Sequence, residues 1–340
     1  MMPALPRAAD DAWWIVDDDA AIPAVRRAAA ALAADLGFSA DRIAEVAIVV
    51  AELATNLVRH AGGGELVLRA VTGDTGTLLR VLAIDAGPGS RNIHALISDG
   101  ASTRGTLGIG LGACRRLSSA FDVYSVPALG TIAEALIGNP TDAGEIPGSS
   151  VSDLTRPLTG DGPCGDTTAH RSLYGHRLAM VADGLGHGTL AAEASRRAAE
   201  VLMACDTTSP AAALDRIHAV LGSTRGAAVA VVRYDPATRT LVHAGVGNVV
   251  VRIVEDGRLR TIPSQPGIVG HRSPRLRETV SPVTGSSAVV MHSDGLSQRW
   301  SLDDVPGVLD HRPAIACAAL VRAAASRRDD ASVLVLRTAA

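Results

Sequence analysis

The chain has 340 residues, room for about two domains of roughly 150 each, and 47% of its residues are hydrophobic, enough for a core in both. Aromatics make up only 2%, so the cores are to be built from Ala, Val, Leu and Ile. A net charge of −3 gives no electrostatic case for nucleic acid, and all 32 basic residues are Arg, which excludes a P-loop lysine and a Schiff-base lysine.

The start, "MMPALPRAADDA", is acidic and has no apolar signal core. No run of about 18 apolar residues follows anywhere, so no membrane span is expected and the cytoplasm is the default location. "AWWIV" reads as a strand, and a helix follows from about Ala21 to Leu36. "GFSADR" is a turn with an N-cap signal at Ser39, opening a second helix from about Asp41 to His60. "ELVLRAVTGDTGTLLRVLAID" reads as two antiparallel strands around a Gly/Asp turn. A glycine-rich region, a helix near Leu111–Ala120 and two closing strands in "FDVYSVPALGTIAEALI" complete one α+β domain. "GNPTDAGEIPGSS", residues 138–150, has the composition of a linker. Beyond it, "RLAMVAD", "AAVAVVRYD", "RTLVHAGVG", "NVVVRIVEDG", "SAVVMHSD" and "ASVLVLRT" alternate with Ala-rich helices, which suggests a β-sandwich flanked by helices. The cysteines, Cys114, Cys164, Cys205 and Cys317, are scattered without CxxC spacing, so neither zinc nor a disulfide framework is indicated.

The second helix holds the first chemical signal. In "AELATNLVRHAGGGE", Glu52, Asn56 and His60 stand four apart, which stacks them on one helical face. Later come "AIDAGPGS", where Asp85 ends a strand before Gly87 and Gly89, and "TLGIGLGACRRL", where Gly108, Gly110 and Gly112 open a helix. Glycines before a helix N-terminus let backbone N–H groups approach phosphate. Asn suits magnesium, which keeps waters and phosphate oxygens as its other ligands. A carboxylate nearby can accept the proton of an attacking hydroxyl.

The ordered set ELxxN, DxGxG and GxGLG resembles the GHKL (Bergerat-type) ATP-binding fold of anti-sigma-factor kinases, in its RsbT-like switch-kinase branch. The resemblance covers about residues 12–137. It implies an α/β sandwich with a mixed sheet and helices on one face, binding ATP and Mg2+. It also implies Glu52 as catalytic base, Asn56 as magnesium ligand, and Asp85 reading adenine with Thr131 beside it. Gly87, Gly89, Gly108, Gly110 and Gly112 would shape the pocket and a short lid. His60 matches a position where such kinases often carry His, although the helix dipole alone also favours His there.

In the second half, acidic residues sit at turns: Asp166 in "CGD", Asp183 in "VADGLGHG", Asp294 in "MHSDGL", and Asp329 and Asp330 in "RRDDASVLV". An Asp at a strand end is commonly turn chemistry. Several converging, with no Cys or His cluster, suit a magnesium or manganese pair. Two such ions about 4 Å apart make a bridging water nucleophilic near neutral pH. These motifs resemble the PPM-type metal-dependent Ser/Thr phosphatases, in their SpoIIE branch, over about residues 150–337. The resemblance implies an αββα sandwich with two Mn2+ or Mg2+ ions. Asp183 would bridge them, helped by the Gly184 carbonyl, and Asp166, Asp294 and Asp329 would complete the shells, with Asp330 a neighbour. His187 is read as shaping its turn. Arg171 and Arg177 are the arginines nearest in sequence for a phosphate contact, with surface Arg as the plainer reading. The glycine-loop text of the family is changed here to "HAGVGNVVVRI".

Together the two resemblances imply domains at 12–137 and 151–340 joined by the 138–150 linker. They imply a bifunctional partner-switching protein, a Ser/Thr kinase and a phosphoserine/phosphothreonine phosphatase acting on STAS-domain antagonist and scaffold proteins of a stressosome-type module. A downstream regulator is a further expected partner, and a homodimer is one expectation because such kinases are often dimeric. The alternatives are an ATP-dependent binding clamp and a nucleotide-sensing domain that controls the phosphatase.

Overall fold

The structure, a computed structural model, describes residues 11–73, 76–93, 110–138, 149–159, 162–271, 275–326 and 328–338. The chain divides into two compact units, Met1–Ser149 with Pro306–Ala318, and Ser150–Val305 with Ala319–Ala340.

In the first unit, strand β1 (Ala12–Val16) leads into helices α1 (Ile22–Asp35) and α2 (Ala40–Asn56), then the hairpin β2 (Gly64–Gly73) and β3 (Gly76–Ile84). Helix α3 (Gly110–Leu117) precedes a second hairpin, β4 (Ala120–Val126) and β5 (Gly130–Ile137). The Ser39 side chain accepts the Arg42 N–H and caps α2, as its sequence position suggests. The five strands run in the order β1-β2-β3-β5-β4. Every pairing is antiparallel, so the sheet is not the mixed one expected. The reason lies in the connections: β2–β3 and β4–β5 are hairpins, and α1 followed by α2 returns the chain to the end of the sheet it left. A parallel neighbour needs a single crossover.

Alternate residues of three strands, Leu66 and Leu68, Leu79, Val81 and Ala83, and Ala133, Ala135 and Ile137, share one core with Val46, Val49, Val50 and Leu53 of α2. The sheet also carries buried charge, Arg80 on β3 and Glu134 on β5. Glu134 is met by the segment 306–318, which belongs to the first unit and not to the 151–340 domain expected from the sequence. There the Arg312 Nε donates to Glu134 at 2.7 Å, and His311 and the Arg312 N–H contact the Asp122 carboxylate at 2.9 and 2.8 Å.

The second unit is a sandwich of two five-stranded sheets. One has the order β13-β10-β9-β8-β7, from β7 (Asp166–Leu173), β8 (His176–Gly184), β9 (Ala227–Asp235), β10 (Thr240–Val246) and β13 (Thr279–Pro282). The other runs β12-β11-β14-β15-β6, from β6 (Val151–Arg156), β11 (Val250–Glu255), β12 (Arg258–Ile262), β14 (Ala288–His292) and β15 (Ala331–Arg337). Ala179, Val181, Ala230 and Val232 of the first sheet pack with Val251, Ile253, Val289, Met291 and Leu334 of the second. The alternate residues Leu178, Met180 and Ala182 face outward to helices α4 (Thr189–Ala204) and α5 (Pro210–Leu221). Helix α6 (Pro313–Ala324) spans the division of the units, its residues to Ala318 grouping with the first. No described helix is long and apolar enough to cross a membrane.

His243 on β10 is 1% exposed, and its Nε2 has no hydrogen-bond partner among the described residues. Burial holds its pKa down to about 4. The folded chain keeps this imidazole neutral where the unfolded chain, with an ordinary His pKa of about 6.5, already binds a proton. Its contribution to stability is therefore intact above about pH 6.5 and lost as pH falls toward 4, about 3 kcal/mol in all. His243→Leu is expected to flatten that acid slope. Melting temperatures of both proteins at pH 7.5 and 5.0 measure it, and an unchanged difference between the two pH values contradicts it.

Candidate functional sites

In the first unit the face of α2 with Glu52 and Asn56 is partly buried. Asn56 is the last α-helical residue. Leu57–Ala61 forms a π-helical turn that ends at Gly62, with φ +76°. The wider turn breaks the α period, so the expected four-residue column stops at Asn56 and His60 lies exposed beyond it. Glu52 faces α3: with burial, its charge helps push the Cys114 thiol up to about 12, and the Cys114 Sγ points to the Val49 carbonyl of α2. Cys114 is thus a buried, unreactive thiol. Gly110 and Gly112 open α3, so the carboxylate helix and this glycine turn are neighbours. Gly108 lies outside the described residues.

Asp85 follows the end of β3. Its Oδ1 accepts the Gly87 N–H at 2.8 Å and the Thr131 N–H at 2.9 Å, and its own N–H donates to the Thr131 carbonyl at 2.9 Å. The Thr131 hydroxyl lies 2.8 Å from the Ser125 hydroxyl, which accepts the Ser90 N–H at 2.9 Å. The "DAGPGS" loop is thereby locked to the β4–β5 hairpin. Gly89, at φ +63°, passes so close to β4 that a Cβ there would lie 2.0 Å from the Val126 carbonyl. Gly87 runs close to Ala61, at the end of the π turn, where a Cβ would lie 2.7 Å from the Ala61 Cβ. Asp85, Gly87, Gly89 and Thr131 therefore form one rigid corner. Ser125, one of its links, carries no pattern in the sequence that marks it.

In the second unit Asp166 and Asp183 are direct partners across β7 and β8. Opposite residues of an antiparallel pair hold their Cβ atoms about 5 Å apart, where like charges repel. Burial, first of all, raises the Asp166 carboxyl to about 7, and the Asp330 and Asp294 charges add to it, opposed by the nearby Ser293 and Ser332 hydroxyls. Asp183 rises to about 8, from burial and then from Asp166, Asp294 and Asp329. Asp329 is also raised, by burial and by Asp294. The structure therefore brings Asp166, Asp183, Asp294 and Asp329 within reach of one another's fields. Asp330 plays a different part: its carboxylate accepts the Leu158 N–H at 2.6 Å and the Gly165 N–H at 2.7 Å, fastening the loop before β7 to the start of β15.

The glycines here answer to close packing. A Cβ on Gly184 would lie 2.1 Å from the Ala191 carbonyl of α4, and one on Gly295 1.9 Å from the Asp330 carbonyl. Asn248, in the altered "HAGVGN" turn, donates to Asp294 Oδ2 at 2.6 Å. The departure of that turn from the family text was its only mark in the sequence. Arg171 and Arg177 are engaged elsewhere. Arg171 donates to the Leu202, Met203 and Cys205 carbonyls at the end of α4, and Arg177 to the Arg337 carbonyl.

Comparison with known proteins agrees with both halves. The histidine kinase-like ATPase domain family matches residues 15–133. The serine/threonine-protein kinase RsbT of Bacillus subtilis (strain 168) is 35% identical over 115 residues, which is 34% of this chain and 86% of that protein. The chain belongs to the RsbT family. To the RsbT-type ATPase domain it joins a PPM-type Ser/Thr phosphatase domain, for the SpoIIE (stage II sporulation protein E) family matches residues 174–339. Among solved structures, a chain described under the heading of the bacterial stressosome as a modular system adapted to control secondary messenger signalling is 28% identical with a TM-score of 0.50, covering 55% of this chain and 98% of that one. A crystal structure of RsbX in complex with magnesium is 20% identical with a TM-score of 0.47, covering 54% and 92%.

The RsbT-type domain implies ATP and the phosphatase domain a divalent metal. The carboxylate cluster fits such an ion. Asp166 Oδ2 is buried without a hydrogen-bond partner among the described residues, and the mutual repulsion of the cluster is relieved by a cation. As the side chains stand, no group of three or more acidic, His or Cys residues among the described residues is placed to hold a metal ion.

Proposed function

We propose that this RsbT-family chain is a bifunctional signalling switch. Its first domain, at 12–137, phosphorylates Ser or Thr of STAS-domain antagonist or scaffold proteins. Its second, at 151–340 beyond the 138–150 linker, removes phosphate from phosphoserine or phosphothreonine. The observation that carries the reading is the pairing, in one chain, of an RsbT-type ATPase domain with a four-carboxylate cluster gathered around the buried Asp166. The relation to RsbT, and to a chain described in connection with the bacterial stressosome, supports the choice of partner class.

In this reading Glu52, beside the glycine turn of α3, takes the proton of the attacking hydroxyl. Asn56, one turn further along α2, would hold the magnesium of the nucleotide. Asp85, already oriented by the Gly87 and Thr131 N–H groups, meets the adenine amine. In the second domain Asp183, with the Gly184 carbonyl beside it, and Asp166, Asp294 and Asp329 would hold the divalent metal, and Asn248 orients Asp294. Bound Mg2+ or Mn2+ supplies a water acidified to near neutral pH.

Both reactions running at once would consume ATP without effect, so partner binding is assigned the role of separating them. The test mixes the full chain with γ-labelled ATP, Mg2+ and a purified STAS-domain protein. Label should enter the partner, then leave it after ATP is exhausted and Mn2+ is supplied. If label neither enters nor leaves the partner under any condition, the reading fails.

A further inference from the structure

The cluster of aspartates poses an electrostatic problem for its own substrate. A phosphate monoester is a dianion, and both arginines nearest in sequence, Arg171 and Arg177, are occupied by backbone carbonyls. A different arginine stands at the carboxylate turn. Arg225 lies in the loop between α5 and β9, and its Nη1 would be 3.1 Å from a Cβ built on Gly186, three residues after Asp183.

The loop that carries Arg225 is fixed on both sides. The Thr224 hydroxyl donates to the Leu221 carbonyl at 2.8 Å and accepts the Gly226 N–H at 3.0 Å. The Gly226 carbonyl accepts the Leu185 N–H at 3.0 Å, so the loop is bonded to the turn that begins at Asp183 and Gly184. On its other flank the same turn places His187 close enough to Asp329 for the two to interact. Gly186 itself has φ +88°, and the missing side chain leaves the guanidinium its place against the turn. Arg225 is exposed, and no ion pair or hydrogen bond engages its side chain among the described residues. A surface arginine usually lies out in water. This one has its backbone anchored beside the carboxylates and its guanidinium laid over the glycine turn that leads from them.

We propose that Arg225 is the phosphate-binding arginine of the second site, its guanidinium forking onto two oxygens of the phosphoserine or phosphothreonine phosphoryl group at the Asp183–Gly186 turn. The assignment rests on the phosphatase reading for its substrate. The physical case is that a planar guanidinium pairs with phosphate through two parallel charge-assisted bonds, and a prefixed loop loses little freedom in making them. Lysine, a point charge, would recover only part of this.

The experiment uses the full Mn2+-loaded chain. Inorganic phosphate is titrated calorimetrically, and hydrolysis of a phosphothreonine peptide is followed in parallel. Arg225→Ala should weaken phosphate binding about tenfold or more and raise KM by a similar factor, with the melting temperature and the Mn2+ requirement unchanged. Arg225→Lys should fall between the two. Unaltered phosphate affinity in Arg225→Ala overturns the assignment, as does a wild-type chain that binds no phosphate. A wild-type chain that binds phosphate but hydrolyses no phosphopeptide overturns the phosphatase reading, and the phosphate titrations still decide the role of Arg225.

Discussion

Asp183→Asn should abolish phosphatase activity, by a factor of about a thousand or more, and at the same time make the metal-free protein more stable. The two effects have one cause. Asp183 faces Asp166 across the β7–β8 pair, and burial together with three neighbouring carboxylates raises it to about 8. A carboxyl raised in the folded state binds its proton more tightly there than in the unfolded chain. Its stabilising contribution is therefore full below about pH 4 and is lost as pH rises toward 8. At neutral pH the loss from this one group is about 2–4 kcal/mol. An amide of the same shape has no charge to bury, so the variant should lack this loss. Melting temperatures in chelator at pH 5.5 and 8.0 should converge in Asp183→Asn and diverge in the wild type. Added Mn2+ should raise the wild-type melting temperature at pH 8.0 and leave the variant nearly unmoved. A variant that is less stable than the wild type in chelator at pH 8.0 would show that the cluster is held by hydrogen bonds rather than strained by repulsion.

Glu52→Gln is the matching change in the first domain. It preserves the shape of a partly buried side chain beside α3 and removes only the ability to accept a proton. General-base catalysis contributes about a hundredfold to ten-thousandfold, so phosphorylation of a STAS-domain partner should fall by that order. Nucleotide affinity and phosphopeptide hydrolysis should stay within about twofold, since Glu52 and the carboxylate cluster lie in different units. The clamp alternative makes the opposite forecast: partner binding and signalling output survive the substitution because no phosphoryl transfer was needed. A variant that transfers phosphate at the wild-type rate would remove Glu52 from the base role.

Much of the fold was legible because burial of one face imposes a period on the sequence. The alternation in "ELVLRAV" and "TLLRVLAI" foretold the β2–β3 hairpin, and Ser39 marked the start of α2. Strands β6, β7, β12 and β13 were not legible. β7 reads "DTTAHRSL", with too few apolar residues to announce a strand, and the edge strands β12 and β13 are largely exposed. The helix runs on to Ala61 and stops at the glycines, as read, but its change from α to π after Asn56 was not legible: a π turn has the same composition as the helix it interrupts, and only the hydrogen-bond pattern tells them apart.

By itself the sequence determined the local elements, the order of the motifs and the residue types able to do the chemistry, since these depend on side chains a few positions apart. Tertiary structure alone decided that Asp166 faces Asp183 through a pairing the composition of β7 does not advertise, and that Asp330 fastens a loop. It alone grouped residues 306–318 with the first unit, where Arg312 meets the buried Glu134, and laid Arg225 against Gly186. These join residues from 17 to 178 positions apart. Such contacts follow from the register and packing of whole sheets, a sum over many weak terms that no short stretch of sequence contains.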